Sequence, residues 1–276
     1  MTGRSILITG CSSGIGRHAA LGMRARGWRV FATARSADDV VRLADEGLEA
    51  FRLDYADADS IAAAIDTVLG ATGGTLDVLF NNGGYAQPGA LEDLETALFR
   101  AQFEANVFGW HDLTRRVIPV MRKQGRGRIV FNASVLGFVA GRFRGAYVAS
   151  KHAIEGYADT LRIELMGTGI EVVIIEPGPI ESRFRATAAG HGEGIDVAGS
   201  VHREAYERDL AGRRDGPRRD RFRKGPEAVL EALVRAVESR RPRARYRVTT
   251  PTKVAALLKR ILPTRAMDRI VGRVRR

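Results

Sequence analysis

Six short apolar runs, at 5–9, 30–33, 49–53, 76–81, 128–132 and 171–176, alternate with stretches whose apolar residues recur at helical spacing, at 15–26, 38–46, 57–69, 98–121 and 146–166. No other feature restricts the fold as much. Strand, helix and strand in succession form a right-handed crossover, and repeated crossovers build a parallel sheet covered by helices on both faces. The expected class is α/β, a doubly wound parallel sheet of Rossmann type in three α/β/α layers. A chain of 276 residues can bury one such core. Gly109 and Pro119 are expected to bend or end the 98–121 helix early. A further helix at 226–238 and a last strand at 244–248 complete the pattern.

Residues 183–224 break the rhythm, with scattered glycines and a basic run from Arg213 to Lys224 in which only 201–210 looks helical. A long irregular excursion inside a compact domain reads as a substrate lid or loop. The expected organisation is a dinucleotide-binding and catalytic domain over 1–249, with 183–224 as its lid, and a basic amphipathic extension over 250–276. Charge supports the division. Residues 240–276 hold thirteen Lys/Arg against one acid, Asp268, while the remaining residues hold 31 of each sign, so the net +12 belongs to the tail. Cys11 is the single cysteine, which excludes an intrachain disulfide framework. With no leader-like or membrane-spanning run, the expected compartment is the cytoplasm.

Between the first strand and first helix stands Thr9-Gly10-Cys11-Ser12-Ser13-Gly14-Ile15-Gly16. Gly10 permits a tight turn, and Gly14 and Gly16 let backbone and helix approach a diphosphate, whose charge suits the helix N-terminus. The spacing is G-x-x-x-G-x-G, and no P-loop lysine follows, which argues against phosphoryl transfer. The second strand ends at Arg35, where NAD-selective sites usually place an acid for the ribose 2′-hydroxyl. Arg35, with Ser12 and Ser13 nearby, favours NADP(H); Asp38 and Asp39 slightly further on keep NAD(H) open. No metal site is expected.

Tyr147 and Lys151 share one face of the 146–166 helix, one turn apart. A fixed positive charge beside a phenol lowers its pKa from about 10, so the pair reads as a tyrosine prepared for proton transfer with the lysine as its tuning charge. Ser134 ends the fifth strand, and the sheet's carboxyl edge is where such folds bind ligands. Asn106 lies in the preceding helix. Each residue alone has a plain structural reading: a helix face, a turn cap, a buried amide bonded to backbone.

Together these residues resemble the short-chain dehydrogenase/reductase family from Ser5 to about Glu238. The matching pieces are the Thr9–Gly16 loop, Asp54, Asn81-Asn82-Gly83-Gly84, Asn106, Ser134, Tyr147-x-x-x-Lys151 and Pro177-Gly178. The wording of the first loop and of Phe31-Ala32-Thr33-Ala34-Arg35 is most similar to the NADP-preferring steroid 17β-dehydrogenase and retinol dehydrogenase branch. The resemblance implies an NAD(P)-dependent alcohol/ketone oxidoreductase. In it Tyr147 exchanges the proton, Lys151 tunes it and bonds the nicotinamide ribose, Ser134 holds the substrate oxygen and Asn106 anchors a relay water. It also places Asp54 near adenine, Asn82 on the adenosine side, and Pro177, Gly178 and Ile180 on the nicotinamide face, with Tyr55 and Gly83 among the cofactor-binding residues. The family usually has alanine where Gly83 stands, so added backbone freedom is expected there. A homodimer or homotetramer through the 146–166 and 226–238 helices is implied as well.

Tyr85, Val135, Leu136, Phe138, Val139, Ile180 and Phe184 are expected on the substrate side, which favours a lipophilic carbonyl or alcohol. An acyl-thioester substrate attracted by Arg213–Lys224, and a catalytically silent NADP(H)-binding regulator, are the competing readings. In the tail, Thr250-Pro251 opens an apolar stripe of Val254, Leu257, Leu258, Ile261 and Leu262, and Met267, Ile270, Val271 and Val274 form a second after Pro263. These stripes are expected to dock on the body or a partner subunit; contact with an anionic membrane surface is the alternative. Nucleic acid is not expected, since neither aromatic interleaving nor a binding motif accompanies the charge.

Overall fold

The computed structural model describes residues 4–182, 188, 190, 195–214 and 222–273. Seven parallel strands form one sheet in the order β3-β2-β1-β4-β5-β6-β7. They are β1 (Ser5–Ile8), β2 (Arg29–Ala34), β3 (Glu49–Arg52), β4 (Val78–Asn81), β5 (Gly127–Asn132), β6 (Ile170–Glu176) and β7 (Arg245–Arg247). The order reverses between β1 and β4, and at such a switch point the loops after the two strands diverge and leave a crevice. The helices are α1 (Gly14–Ala25), α2 (Ala37–Asp45), α3 (Ala58–Thr72), α4 (Thr96–Phe103), α5 (Gly109–Gln124) and α6 (Gly145–Glu164). They are followed by α7 (Arg203–Arg214), α8 (Glu227–Glu238), α9 (Thr250–Ile261) and α10 (Thr264–Arg273).

Successive strand residues face opposite cores. Leu7, Phe31, Leu79, Ile129 and Phe131 pack with α3, α5 and α6 on one face. Ile6, Ile8, Val30, Phe80 and Val130 pack with α1 and α8 on the other. Each fully buried Leu, Ile or Phe contributes about 1.5–3 kcal/mol, so both faces need helices. Local chemistry sets the ends. Ser36 Oγ accepts the Asp39 N–H at the start of α2, and Asp57 accepts from Asp59 and Ser60 at the start of α3. Gly73 (φ 68°) and Gly125 (φ 68°) close α3 and α5 in the left-handed conformation.

The 98–121 stretch behaves differently from expectation. The helix runs from Thr96 to Gln124, through a π-helical turn at Glu104–Phe108. Pro119 does not end it, because Pro119 and Arg115 four residues earlier lie on the exposed face, where water can bond the freed carbonyl. The helix expected at 201–210 starts later and runs to Arg214 as α7.

The tail is helical, and its stripe is divided: Leu258, Leu262 and Val271 are half-buried. α9 buries Thr252 and Ala256, while Val254, Leu257 and Ile261 stay exposed. On α10 Met267 is buried and Ile270 exposed; Val274 lies outside the described residues. No helix among the described residues is long and apolar enough to cross a membrane.

Candidate active site

The glycine loop runs from β1 into α1 at the switch point. Gly10 (φ 68°) lies so close to Gly83 that an added methyl would meet Gly83 Cα at 2.4 Å. A methyl on Gly16 would meet the Gly10 carbonyl at 2.2 Å. Thr9 organises the floor. Its Oγ1 accepts from the N–H groups of Asn82 (2.9 Å) and Gly83 (3.1 Å) and from the Tyr55 hydroxyl (2.6 Å). Gly83 is thereby held from both sides, since its carbonyl accepts from Trp110 Nε1 at 2.7 Å. The freedom expected from glycine there is taken up by these bonds, and a methyl would sit only 3.1 Å from the Tyr55 ring.

Asn82 carries the network toward Tyr147 and Lys151. Its Nδ2 donates to the Thr9 carbonyl (2.8 Å) and its Oδ1 accepts from Asn132 Nδ2 (2.8 Å). The Asn132 carbonyl accepts from Lys151 Nζ at 2.8 Å. Lys151 is buried, and its ammonium also lies 4.3 Å from the centre of the Trp110 ring. Tyr147, one turn earlier on α6, is buried with its hydroxyl hydrogen-bonded to Ser134. Ser134 sits where β5 ends and caps a short 3₁₀ turn, its Oγ accepting the Leu136 N–H at 3.1 Å. Asn106, in the π turn, accepts from Tyr85 N (3.2 Å) and donates to Tyr85 O (3.0 Å) and Ser150 Oγ (3.3 Å). Ser150 Oγ in turn donates to the Tyr147 carbonyl at 2.8 Å. The amide of Asn106 thus ties the loop after β4 to α6.

The electrostatics correct one expectation. Burial pushes the Tyr147 phenol up to about 12; the Ser134 hydrogen bond and the Arg144 charge pull it down. Lys151 Nζ lies 5.7 Å from the centre of the Tyr147 ring. Burial lowers the Lys151 pKa to about 7, opposed by the negative charge of Glu155. The reason is common to both groups: an apolar surround disfavours phenolate and ammonium alike. Cys11 is fully buried in the same loop and pushed up to about 12, so its thiol stays protonated.

One cavity of about 510 Å³ takes in every expected site residue: Gly10, Ser12, Ser13, Gly14, Ile15, Gly16, Arg35, Asp54, Tyr55, Asn82, Gly83, Asn106, Ser134, Tyr147, Lys151, Pro177, Gly178 and Ile180. Of the expected substrate-side residues, Tyr85, Val135, Leu136 and Ile180 line it. Phe138 and Val139 do not: Val139 is buried and the Phe138 ring faces Arg247 at 6.0 Å. Phe184 lies outside the described residues. The size is that of a small-molecule or cofactor site.

The residues fit a dinucleotide. Ser13 precedes α1 without a side-chain capping bond, and the first turn of α1 holds no acid, so its N–H groups remain directed at the glycine loop. Arg35 is exposed on the cavity wall at the end of β2. Asp39 also lines it but is paired with Arg42 at 2.5 Å, and Arg42 donates to the Ser12 carbonyl at 2.7 Å. Arg42, Asn132, Trp110 and Arg144 were not expected at the site. Asn132 had a legible signal, a polar residue ending an apolar strand two positions before Ser134. Arg144 enters from the turn before α6, and Arg42 on α2 and Trp110 on α5 reach the site only through residues that line it, Ser12 and Gly83.

Residues 4–191 match the sequence profile of the short chain dehydrogenases. The uncharacterized oxidoreductase YbbO of Escherichia coli strain K12 is 40% identical over 269 residues, covering 97% of this chain and 94% of that protein. Human 17-beta-hydroxysteroid dehydrogenase type 1 is 32% identical over 257 residues, covering 88% of this chain and 77% of its own. The crystal structure of a short-chain dehydrogenase from Streptomyces avermitilis superposes with a TM-score of 0.78 at 28% identity, over 99% of this chain and 97% of that one. The chain belongs to the short-chain dehydrogenase/reductase family. It is an NAD(P)-dependent oxidoreductase.

Proposed function

We propose that this enzyme prefers NADP(H), interconverts a lipophilic carbonyl compound and its secondary alcohol, and uses Tyr147 as the general acid and base. The observation that carries the reading is the Tyr147–Ser134 hydroxyl pair, held in the same cavity as a glycine loop shaped for a diphosphate. When bound, the nicotinamide supplies or accepts the hydride. Tyr147 gives its phenolic proton to the substrate oxygen in reduction and takes it back in oxidation, while Ser134 Oγ holds that oxygen against the phenol. Lys151, near neutrality at about 7, is able to return a proton to Tyr147 at working pH. Asn106 positions α6 through Ser150 and anchors a relay water in this reading.

Several observations support the finer parts. Asp39 is paired with Arg42 through one carboxylate oxygen, and exposed Arg35 suits a 2′-phosphate. Val135 and Leu136 give the substrate side an apolar wall. The human relative is named for a hydroxysteroid, itself a lipophilic secondary alcohol. The substrate lid expected at 183–224 lies in part outside the described residues; residues 250–276 are an extension in this reading. Exposed Ile163 and Met166 near the end of α6 fit a homodimer or homotetramer.

A carbonyl panel monitored by nicotinamide absorbance, with NADPH and NADH in parallel, tests the proposal. Tyr147→Phe is expected to keep cofactor binding and lose about 10²–10⁴-fold in turnover. Cofactor binding without turnover of any carbonyl would favour the silent regulator. Selective reduction of CoA thioesters would favour the acyl-thioester alternative.

A further inference from the structure

α9 starts beside the cleft and turns an apolar face away from it. At its N-terminus Thr249 and Thr252 are fully buried against Gly178, a wall residue of the cavity, where an added methyl would meet Thr249 Oγ1 at 2.1 Å. The outward face carries Val254, Leu257 and Ile261 at 50%, 60% and 64% exposure, spaced i, i+3 and i+7. Three large apolar side chains in one stripe are not the scattered exposure of an ordinary surface.

Charge surrounds the stripe. Lys253 and Arg260, themselves seven residues apart, run along one flank, and Lys259, Arg265 and Arg269 are exposed on α9 and α10. Asp268 is the only acid from residue 240 to the end of the chain, against thirteen Lys/Arg. A second copy laid on this face would bring two such cationic tails together. Nucleic acid would match the cations and leave the apolar stripe without a partner. An anionic lipid surface satisfies both, with apolar side chains at the acyl boundary and cations among the phosphates.

We propose that α9 is an interfacial anchor for an anionic lipid surface. Val254, Leu257 and Ile261 insert, Lys253 and Arg260 bind headgroup phosphates, and the cleft behind Gly178 is held next to the bilayer. The proposal stands apart from the substrate and cofactor readings, because binding to lipid is measured without turnover.

The test is co-sedimentation of the full chain with vesicles of phosphatidylcholine alone and of phosphatidylcholine containing phosphatidylglycerol. Wild type is expected to partition at least about tenfold more strongly to the anionic vesicles, and salt should weaken this, since screening shortens to about 10 Å at 0.1 M. Lys253→Gln with Arg260→Gln should lower partitioning about 25-fold, at roughly fivefold per near-surface cation. Leu257→Glu with Ile261→Glu should lower it by at least about tenfold. Both double variants should keep the wild-type Tm and cofactor affinity, since neither pair touches the cleft. Absence of an anionic preference, or a Leu257→Glu/Ile261→Glu variant that binds like wild type, overturns the proposal. So does a vesicle-free oligomer that this variant dissociates, because a second copy would then be the occupant.

Discussion

Arg144 is the residue whose consequence for the chemistry is most direct. It stands three positions before Tyr147, lines the same cavity, and its charge favours the phenolate. The residue before it, Phe143, has φ 55°, the one non-glycine residue with positive φ among those described. That conformation costs about 1–3 kcal/mol and persists only where surroundings hold it. Here the Phe143 carbonyl accepts the Gly89 N–H at 2.9 Å, and its ring packs 5.0 Å from Tyr206 and 5.5 Å from His202. The strained turn therefore fixes where Arg144 enters the cavity. Removing a neighbouring positive charge makes a phenol a weaker acid. Arg144→Met is expected to move the rise of alcohol oxidation with pH upward by as much as about one unit. A pH–rate profile checks this; an unmoved limb with a uniformly lower rate would assign Arg144 a purely structural role.

Among the elements, the π turn before α5 positions the most while being the hardest to foresee. It presents Asn106 to Tyr85 and Ser150, and it brings Gly109 against the loop after β3. A methyl on Gly109 would lie 2.3 Å from Tyr55 Cβ and 2.6 Å from the Tyr55 carbonyl. Tyr55 could not stay under Thr9. Gly109→Ala is therefore expected to cost about 1–3 kcal/mol in urea unfolding and to weaken cofactor binding with it. Gly70→Ala is the contrast: a methyl there meets nothing within 4 Å on exposed α3, and stability should rise by about 0.5–1 kcal/mol. Equal effects from both would mean that helix propensity, not close packing, sets the outcome. Strand and helix alternation was legible because buried strands and amphipathic helices leave unlike periods in the sequence. The turn after β1, Ser134 and Tyr147 were legible because strand ends mark the ligand edge. The π turn was not, because one extra residue shifts the phase of an apolar stripe without breaking it. The direction of the Tyr147 shift was not legible either, since spacing places Lys151 nearby but does not report how deeply both groups are buried.

At the scale of the whole molecule, an ionic cluster ties α6 to the far edge of the sheet. Arg245 on β7 reaches Glu155 (3.2 Å) and Asp159 (2.6 Å) on α6 and Glu176 (3.1 Å) at the end of β6. Arg247 holds the other oxygen of Glu176 at 2.9 Å. Burial pushes Glu155 up to about 7, and Glu176 is shifted upward for the same reason. For an acid whose folded pKa lies above its unfolded value of about 4.5, the folded form binds more protons through the interval between them. The stability that Glu155 contributes is present below about 4.5 and is lost as pH rises through about 7. Arg245 limits that loss by pairing the ionised form. In Arg245→Met two buried carboxylates lose their shared partner, so their pKa values rise further and the loss deepens on the alkaline side. Chemical unfolding is expected to show a deficit of about 3 kcal/mol at pH 8, near the low end for a broken buried pair because Arg245 is 28% exposed. At pH 5, where Glu155 is largely protonated in the folded state, the deficit should shrink. A deficit equal at both pH values would mean that Arg245 stabilises the edge strand through packing of its aliphatic stem rather than through charge.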